Sequence, residues 1–173
     1  MNTKVVLTMI VKDEEHVIKR ALSSCYQMID SYCIIDTGST DKTKEVIKDF
    51  FDSKNIEGKI IDFEFTNFEE CRNLSITEAK GLGDYGFWMD ADEELVLKDT
   101  FNKTIFSQFL ATSKLDQFQI LCYYGGMNYF RSQFYSLSHD FYWYGPVHEV
   151  LKSDTPIKTG QFDFGHMKIT PDG

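Results

Sequence analysis

Two aspartates spaced one residue apart directly follow an apolar run in the middle of the chain. The run Tyr85–Met89 predicts a buried strand, and Asp90 and Asp92 come where that strand leaves the sheet. Carboxylates at a strand end are held in place yet face solvent, and Mg²⁺ or Mn²⁺ prefers such oxygen ligands, often completed by substrate phosphates. The segment therefore predicts a metal–phosphate site. A solvated acidic turn stays open as an alternative, because the chain has 27 acidic residues.

Another acidic residue, Asp36, ends the short apolar run that starts at Tyr32 and is followed by the turn Thr37–Thr40. The tetrad Asp-Thr-Gly-Ser also occurs in pepsin-like proteases, but those enzymes need two such loops to form an acid dyad, and the sequence holds one copy. In open α/β sheets, ligands bind beyond the carboxyl ends of the strands. Asp36 is therefore predicted to face the same sheet edge as Asp90.

The other candidate side chains are spread along the chain. Arg72 lies near the start of a predicted helix, where it can contact phosphate or pair at the surface with Glu69 or Glu70. Glu149 follows an aromatic stretch that would exclude water, which makes it a candidate general base.

Two weaker candidates complete the set. His166, after Gly165, is a candidate metal or phosphate contact. Asp140 is the next candidate base after Glu149. A purely structural role for Glu149 and His166 is the alternative.

Strand and helix patterns alternate in the first half of the chain with short connections. This alternation predicts an α/β fold with a mostly parallel central sheet flanked by helices. Beyond Asp92 the pattern loosens into an aromatic-rich second half. The predicted strands are Lys4–Val11, Tyr32–Asp36, Lys59–Phe63, Gly86–Met89 and Gln117–Tyr123, and the predicted helices run from a cap at Asp13 to about Met28, and over Asp41–Phe51, Glu69–Lys80 and Thr100–Ala111.

Composition excludes several classes of protein. The 173 residues suit one domain, and a net charge of −9 without a basic face argues against a nucleic-acid partner. An acidic protein that binds phosphate needs a cation to mediate, which agrees with the metal prediction. The four cysteines show no C-x-x-C spacing, and no transmembrane segment or signal peptide is recognisable. We expect a cytoplasmic protein, with a membrane surface as a potential place of peripheral attachment.

The ordered set of motifs resembles family 2 glycosyltransferases of the GT-A fold. The segments that carry the resemblance are Leu7–Glu15, Ile35–Thr43, Arg72-Asn73 and Trp88–Glu94. The later Val147-His148-Glu149 and Gly165-His166 resemble the second half of one bacterial-type branch of the family. The resemblance implies one transferase domain over residues 1–173, with a nucleotide-sugar half at 1–95 and an acceptor-side half at 96–173.

The resemblance also implies roles for individual residues. Val11, Lys12 and Glu14 would lie beside the nucleotide, and Asp36 would contact its base, with uridine favoured. Metal-bound phosphates would leave while a carboxylate, with Glu149 as candidate, deprotonates the acceptor hydroxyl, with inversion at the transferred sugar. The remaining implied contacts are Arg72 lining the donor site, Asp90 near the ribose or sugar, and Asp92 on Mn²⁺ or Mg²⁺.

The implied partners are a nucleotide-sugar donor and a glycan, lipid or protein acceptor, with a homodimer as an open question. Two other functions remain open. A sugar-nucleotide pyrophosphorylase would need a glycine-rich phosphate loop after the first strand, where this chain has Val11–Glu15. The other is a non-catalytic nucleotide-sugar-binding module, and the intact acids Asp36, Asp90 and Asp92 argue only mildly against it.

Overall fold

The computed structural model describes residues 3–145 and 149–170. Four helices and eleven strands are assigned within these ranges. They are β1 (Val5–Val11), α1 (Ile18–Cys25), β2 (Ser31–Asp36), α2 (Thr43–Lys54), β3 (Glu57–Asp62), α3 (Phe68–Ala79), β4 (Tyr85–Trp88), β5 (Glu93–Leu97), α4 (Lys103–Ser113), β6 (Gln117–Tyr124), β7 (Met127–Ser136), β8 (Tyr142–Tyr144), β9 (Val150–Lys152), β10 (Thr159–Gln161) and β11 (Gly165–Ile169).

The four strands predicted for the first half pair in parallel, in the order β3-β2-β1-β4. Strands β1, β2 and β4 are buried almost throughout, as continuous apolar runs in a covered parallel sheet should be. The register places Val11 beside Asp36, and Asp36 beside Asp62. The carboxyl ends of these strands therefore meet at one edge of the sheet.

The second half makes the sheet mixed, where the sequence predicted a mostly parallel one. Strand β7 pairs antiparallel with β4, and β6 pairs antiparallel with β7. Strand β11 is parallel to β6 but antiparallel to β5. A two-residue turn allows the β6–β7 hairpin, because Gly125 and Gly126 adopt φ of 53° and 86°, which glycine tolerates without steric cost.

Two hydrophobic cores lie on opposite faces of the sheet. Helices α1, α2 and α4 cover one face, with Leu22, Phe51 and Phe106 fully buried against it. Helix α3 and the β8–β9 hairpin cover part of the other face, where Ile76 packs near Trp143. The second core connects α3 to the hairpin in which Glu149 lies, one residue before β9.

Helix α1 begins later than the sequence predicted. Its N-cap position is Val17, which makes no side-chain capping bond. Asp13 instead has a left-handed backbone, with φ of 55°, and its carboxylate accepts hydrogen bonds from the backbone N–H of Thr40 (2.7 Å) and Asp41 (3.3 Å). The predicted helix cap is therefore wrong, because Asp13 joins the loop after β1 to the loop after β2.

Candidate active site

Carboxylates from three strand ends converge at the edge formed by β1, β2 and β4. Glu14 follows β1, Asp36 ends β2, and Asp90 and Asp92 follow β4. Partial burial raises the pKa of Glu14 above its usual value; nearby His16 lowers it, while Asp92, Asp41 and Asp90 raise it further. The negative charges of the acids after β1 and β4 therefore repel one another, and a bound cation would reduce this repulsion.

The protein alone does not enclose a metal at this edge. Within residues 3–145 and 149–170, no three His, Cys, Asp or Glu side chains are grouped closely enough to hold an ion. Magnesium-type sites commonly use one or two carboxylates and take their other oxygens from phosphates and water. The donor set fits a cation that arrives with a phosphate ligand.

Asp36 is fully buried at the end of β2. Its Oδ1 accepts hydrogen bonds from the backbone N–H groups of Gly38 (3.0 Å) and Ser39 (2.8 Å), which fixes the turn after the strand. Its Oδ2 is buried and has no hydrogen-bond partner among the described residues. An unpaired buried carboxylate oxygen is costly, so this atom favours a ligand that brings a donor.

A cavity of about 390 Å³ opens beside the loop after β1. Phe65 and Phe68, just before and at the start of α3, are each 44% exposed, and their ring centroids lie 5.3 Å apart in an edge-to-face arrangement. Sequence reasoning missed both rings, although two phenylalanines shortly before the predicted start of α3 were an available signal. The lining residues are Ile10, Val11, Lys12, Glu14, Thr37, Phe65 and Phe68.

Arg72 is buried between two carboxylates. Its Nη2 donates to Asp90 Oδ1 at 2.9 Å, and its Nε donates to Glu149 Oε1 at 2.7 Å. Burial opposes the charge, but Asp90 and Glu149 together raise the Arg72 pKa above its usual value. The alternative of a surface pair with Glu69 or Glu70 is wrong. Arg72 instead joins the predicted donor edge to the predicted base.

The neighbouring Asn73 holds β8, the first strand of the hairpin in which Glu149 lies. Its Nδ2 donates to the carbonyl oxygen of Trp143 at 2.9 Å, and its Oδ1 accepts from the backbone N–H of Trp143 at 2.8 Å. Helix α3 therefore fixes both the backbone of β8 and, through Arg72, the carboxylate of Glu149. Of the Val147-His148-Glu149 motif, Glu149 alone lies within the described residues.

Trp88, the last residue of β4, lies between two guanidinium groups. The Cζ atoms of Arg72 and Arg131 are 4.5 Å and 4.4 Å from its ring centroid. Arg131 also donates to both oxygens of buried Glu93, at 2.7 Å and 2.6 Å. Glu93 Oε2 in turn accepts from the backbone N–H of Asp90 at 3.2 Å. Arg131 therefore supports the Asp90–Asp92 turn from the second half of the chain.

The structure does not bring Asp140 to this edge. Asp140 lies shortly after the end of β7, where Ser136 pairs with Tyr85, the first residue of β4. Asp90 follows the other end of β4. Hydrogen bonds from Ser153 and Thr155 lower the pKa of Asp140 below its usual value, so the carboxylate has local partners at the opposite edge of the sheet.

His166 is also placed apart from the acids. On β11 it lies opposite Val96, whereas Ile169 lies opposite Glu93 near the Asp92 turn. Its ring packs edge-on against Tyr123, with centroids 5.0 Å apart. The described geometry thus gives His166 an aromatic neighbour, and its predicted role as a metal contact is not supported by proximity.

A comparison with protein families assigns the chain. A sequence model described as Glycosyl transferase family 2 matches residues 7–137. This chain belongs to glycosyltransferase family 2. The match spans the strand ends that carry Glu14, Asp36 and Asp90 and the helix α3 that carries Arg72, and it ends before Glu149.

Two solved structures and one curated relative extend the comparison. S. aureus TarS 1–349 in complex with UDP-GlcNAc matches with a TM-score of 0.62 and 14% identity, covering 94% of this chain and 60% of that one. A Pyrobaculum calidifontis mannosyltransferase in complex with GDP-Man and Mn²⁺ matches with a TM-score of 0.55 and 14% identity, covering 71% of this chain and 36% of that one. A TPR repeat-containing protein of Synechococcus elongatus is 33% identical over 96 residues, which are 55% of this chain and 22% of that protein.

These matches establish the fold class. The α/β architecture, with its mixed central sheet and flanking helices, is the GT-A glycosyltransferase fold that the sequence predicted. The chain spans only part of the length of these relatives. Among the described helices, none is both long enough and apolar enough to cross a bilayer.

Proposed function

We propose that this chain is the catalytic part of a metal-dependent glycosyltransferase that moves a sugar from a UDP-sugar to an acceptor hydroxyl with inversion. Family membership supports the reaction class. Glu14 lines the cavity after β1 and lies within electrostatic reach of Asp90 and Asp92, and this is the observation that carries the finer proposal. In this proposal residues 1–95 bind the donor, and residues 96–173 serve the acceptor.

The cavity lined by Val11, Lys12 and Thr37 is proposed to take the nucleoside. Phe65 and Phe68 offer ring surfaces on which a base can pack. Asp36, next to Thr37 in the chain, has one carboxylate oxygen without a partner among the described residues. The N–H of the uracil imide would supply the missing hydrogen bond, whereas cytosine lacks a donor at that ring position, so uridine is favoured.

The diphosphate is proposed to lie against Asp92 with a bound divalent cation. Mn²⁺ accompanies the donor in the mannosyltransferase complex with GDP-Man. In this chain Asp92 would hold the ion together with phosphate oxygens, and the ion would offset the charge that develops on the leaving diphosphate. Asp90, held by Arg72, would position the ribose or the transferred sugar.

Glu149 is proposed as the general base. Arg72 fixes one oxygen of its carboxylate, and the side chain is 14% exposed. The carboxylate would accept the proton of the acceptor hydroxyl while the hydroxyl oxygen bonds to the anomeric carbon of the donor sugar. The bond from that carbon to the diphosphate breaks on the opposite face, and the nucleoside diphosphate leaves. Displacement from the opposite face gives inversion.

Calorimetric titration with UDP, with and without Mn²⁺, tests the donor site. We expect Mn²⁺-dependent binding to be lost in Asp92→Asn, with the folded state intact by circular dichroism, because the amide carries no charge to hold the ion. Asp49→Asn, an exposed change on α2, is the matched control and should bind as the parent does. Unchanged Mn²⁺ dependence in Asp92→Asn would overturn the metal assignment.

A further inference from the structure

A small groove lies between β7 and the β8–β9 hairpin, with Glu149 in its wall. We infer that this groove is the acceptor subsite and that it takes one saccharide ring rather than a lipid chain or a peptide. The inference rests on the proposed transferase function, and it adds the chemical class of the acceptor. Four features of the groove carry it: the aromatic wall, the polar groups, the volume and the position.

The aromatic wall comes from both sides of the groove. Trp143 on β8 and Trp88 at the end of β4 are buried and meet edge-to-face, with ring centroids 5.1 Å apart. Phe130 on β7 is 49% exposed and stands at the rim. The tryptophans back the groove, because the Arg72 guanidinium lies 4.5 Å and 5.1 Å from their ring centroids. Phe130 is therefore the ring on which the C–H face of a sugar would pack.

The polar groups of the groove suit the hydroxyl rim of a sugar. Gln119, Ser132 and Arg131 line it beside Glu149, so amide, hydroxyl or backbone, guanidinium and carboxylate groups are all represented. Val150 and Leu151 form the aliphatic part of the lining. A hydrocarbon chain would leave these groups without partners in a closed complex, which costs free energy. The mixture of ring surface and hydrogen-bonding groups therefore favours a saccharide over a lipid tail.

The volume and position limit the occupant further. The groove holds about 240 Å³, which is below the roughly 300–1,000 Å³ of pockets for drug-sized ligands. One ring fits this space better than an extended peptide. Glu149 belongs to this groove and to the ion pair with Arg72 and Asp90, so the groove is continuous with the donor edge.

The two tryptophans make the groove directly measurable. The chain has two tryptophans, Trp88 and Trp143, and both line this groove. Tryptophan emission therefore reports on this location, and we would titrate the protein with methyl glycosides, with and without saturating UDP and Mn²⁺. Octyl phosphate and a Gly-Ser-Gly peptide serve as the lipid-like and peptide probes. UDP binding is measured in parallel by calorimetry.

Variants at the rim sharpen the test. We expect Phe130→Ala to weaken glycoside binding about fivefold, because an aromatic contact is lost, and to raise the acceptor KM by a similar factor. Phe130→Tyr keeps the ring and should restore binding. Ile105→Ala, which truncates an exposed apolar side chain on α4, is the control for loss of exposed apolar surface.

The outcomes separate this inference from the proposed function. UDP binding together with a glycoside response that depends on the ring at position 130 supports both. UDP binding without any glycoside response overturns the groove assignment alone, as does a response to octyl phosphate or the peptide instead. Glycoside binding to a protein that does not bind UDP would overturn both the acceptor role and the transferase proposal.

Discussion

The ion pair between Arg131 and Glu93 offers the sharpest test of how the site is held together. Glu93 has a side chain only 3% exposed, whereas Arg131 is 21% exposed. Arg131→Met removes the charge that compensates a buried carboxylate. Breaking a buried pair in this way costs roughly 3–5 kcal/mol. Because Arg131 is partly solvated, we expect the lower end, about 3 kcal/mol.

The stability that Arg131→Met loses should be greater at high pH than at low pH. Burial raises the pKa of Glu93 above its usual value, while Arg131 opposes the rise. The folded state therefore takes up the proton at a higher pH than the unfolded state does, and this contribution to stability is lost as pH rises through the folded-state pKa. Without Arg131 that pKa moves further up, so the cost should be largest at pH 8 and smaller at pH 5.

Urea unfolding followed by far-UV circular dichroism measures the effect without relying on Trp88, which Arg131 contacts. A loss of about 3 kcal/mol corresponds to a midpoint shift of roughly 1.5 M urea at a slope near 2 kcal/mol/M. Adding Glu93→Gln to Arg131→Met removes the stranded charge and should recover part of the loss. A loss below about 1 kcal/mol, or an equal loss at pH 5 and pH 8, would refute the reasoning.

Three further predictions concern the chemistry. Glu149→Gln should keep UDP and Mn²⁺ binding but lower sugar transfer at least about 100-fold, while Asp140→Asn, at the far edge of the sheet, should transfer normally; a normal rate in Glu149→Gln would place the base elsewhere. Asp36→Asn should weaken UDP roughly tenfold and narrow the preference over CDP in calorimetry; tighter binding of GDP than of UDP by the parent would contradict the uridine assignment. Because burial and neighbouring acids raise the pKa of Glu14 above its usual value, the thermal stabilisation by Mn²⁺ should grow as pH rises and Glu14 loses its proton, and a stabilisation greatest in acid would contradict this.

The first half of the fold was predictable because three of its four strands, β1, β2 and β4, are buried on both faces. Such strands are continuous apolar runs, and the predicted bounds of β1 to β4 differ from the observed ones by one or two residues. Turn and cap residues such as Gly38 and Gly81 added local signals, and both have positive φ. Asp36 and Asp90 were therefore placed at one edge from spacing alone.

The strands of the second half could not be predicted in the same way. Strand β7 carries Tyr129 and Phe130, both exposed, before the buried Phe134, so no simple alternation marks it. The sequence prediction instead included this segment in the aromatic-rich second half, where the pattern loosens. The antiparallel place of β7 beside β4 depends on pairing between residues about fifty positions apart, which local patterns do not encode.

The candidate site was predictable where one residue follows a strand and unpredictable where a distant side chain supports it. Asp92 could be predicted because it belongs to the pair of aspartates that follows an apolar run. Arg131 is 38 residues from Glu93, and nothing near it in the sequence indicates that contact. The same holds for Trp143, whose bond to Asn73 spans 70 residues.

Adjacent positions on β7 serve different neighbours. Phe130 lines the groove beside Glu149, while Arg131 contacts Trp88 and supports the turn at Asp90 through Glu93. A ligand that displaces the strand at Phe130 therefore alters the backbone that presents the acids to the donor. Thermodynamic linkage then requires reciprocity: whatever factor the acceptor applies to donor affinity, the donor applies to acceptor affinity. One strand can thus couple the affinities of the two substrates.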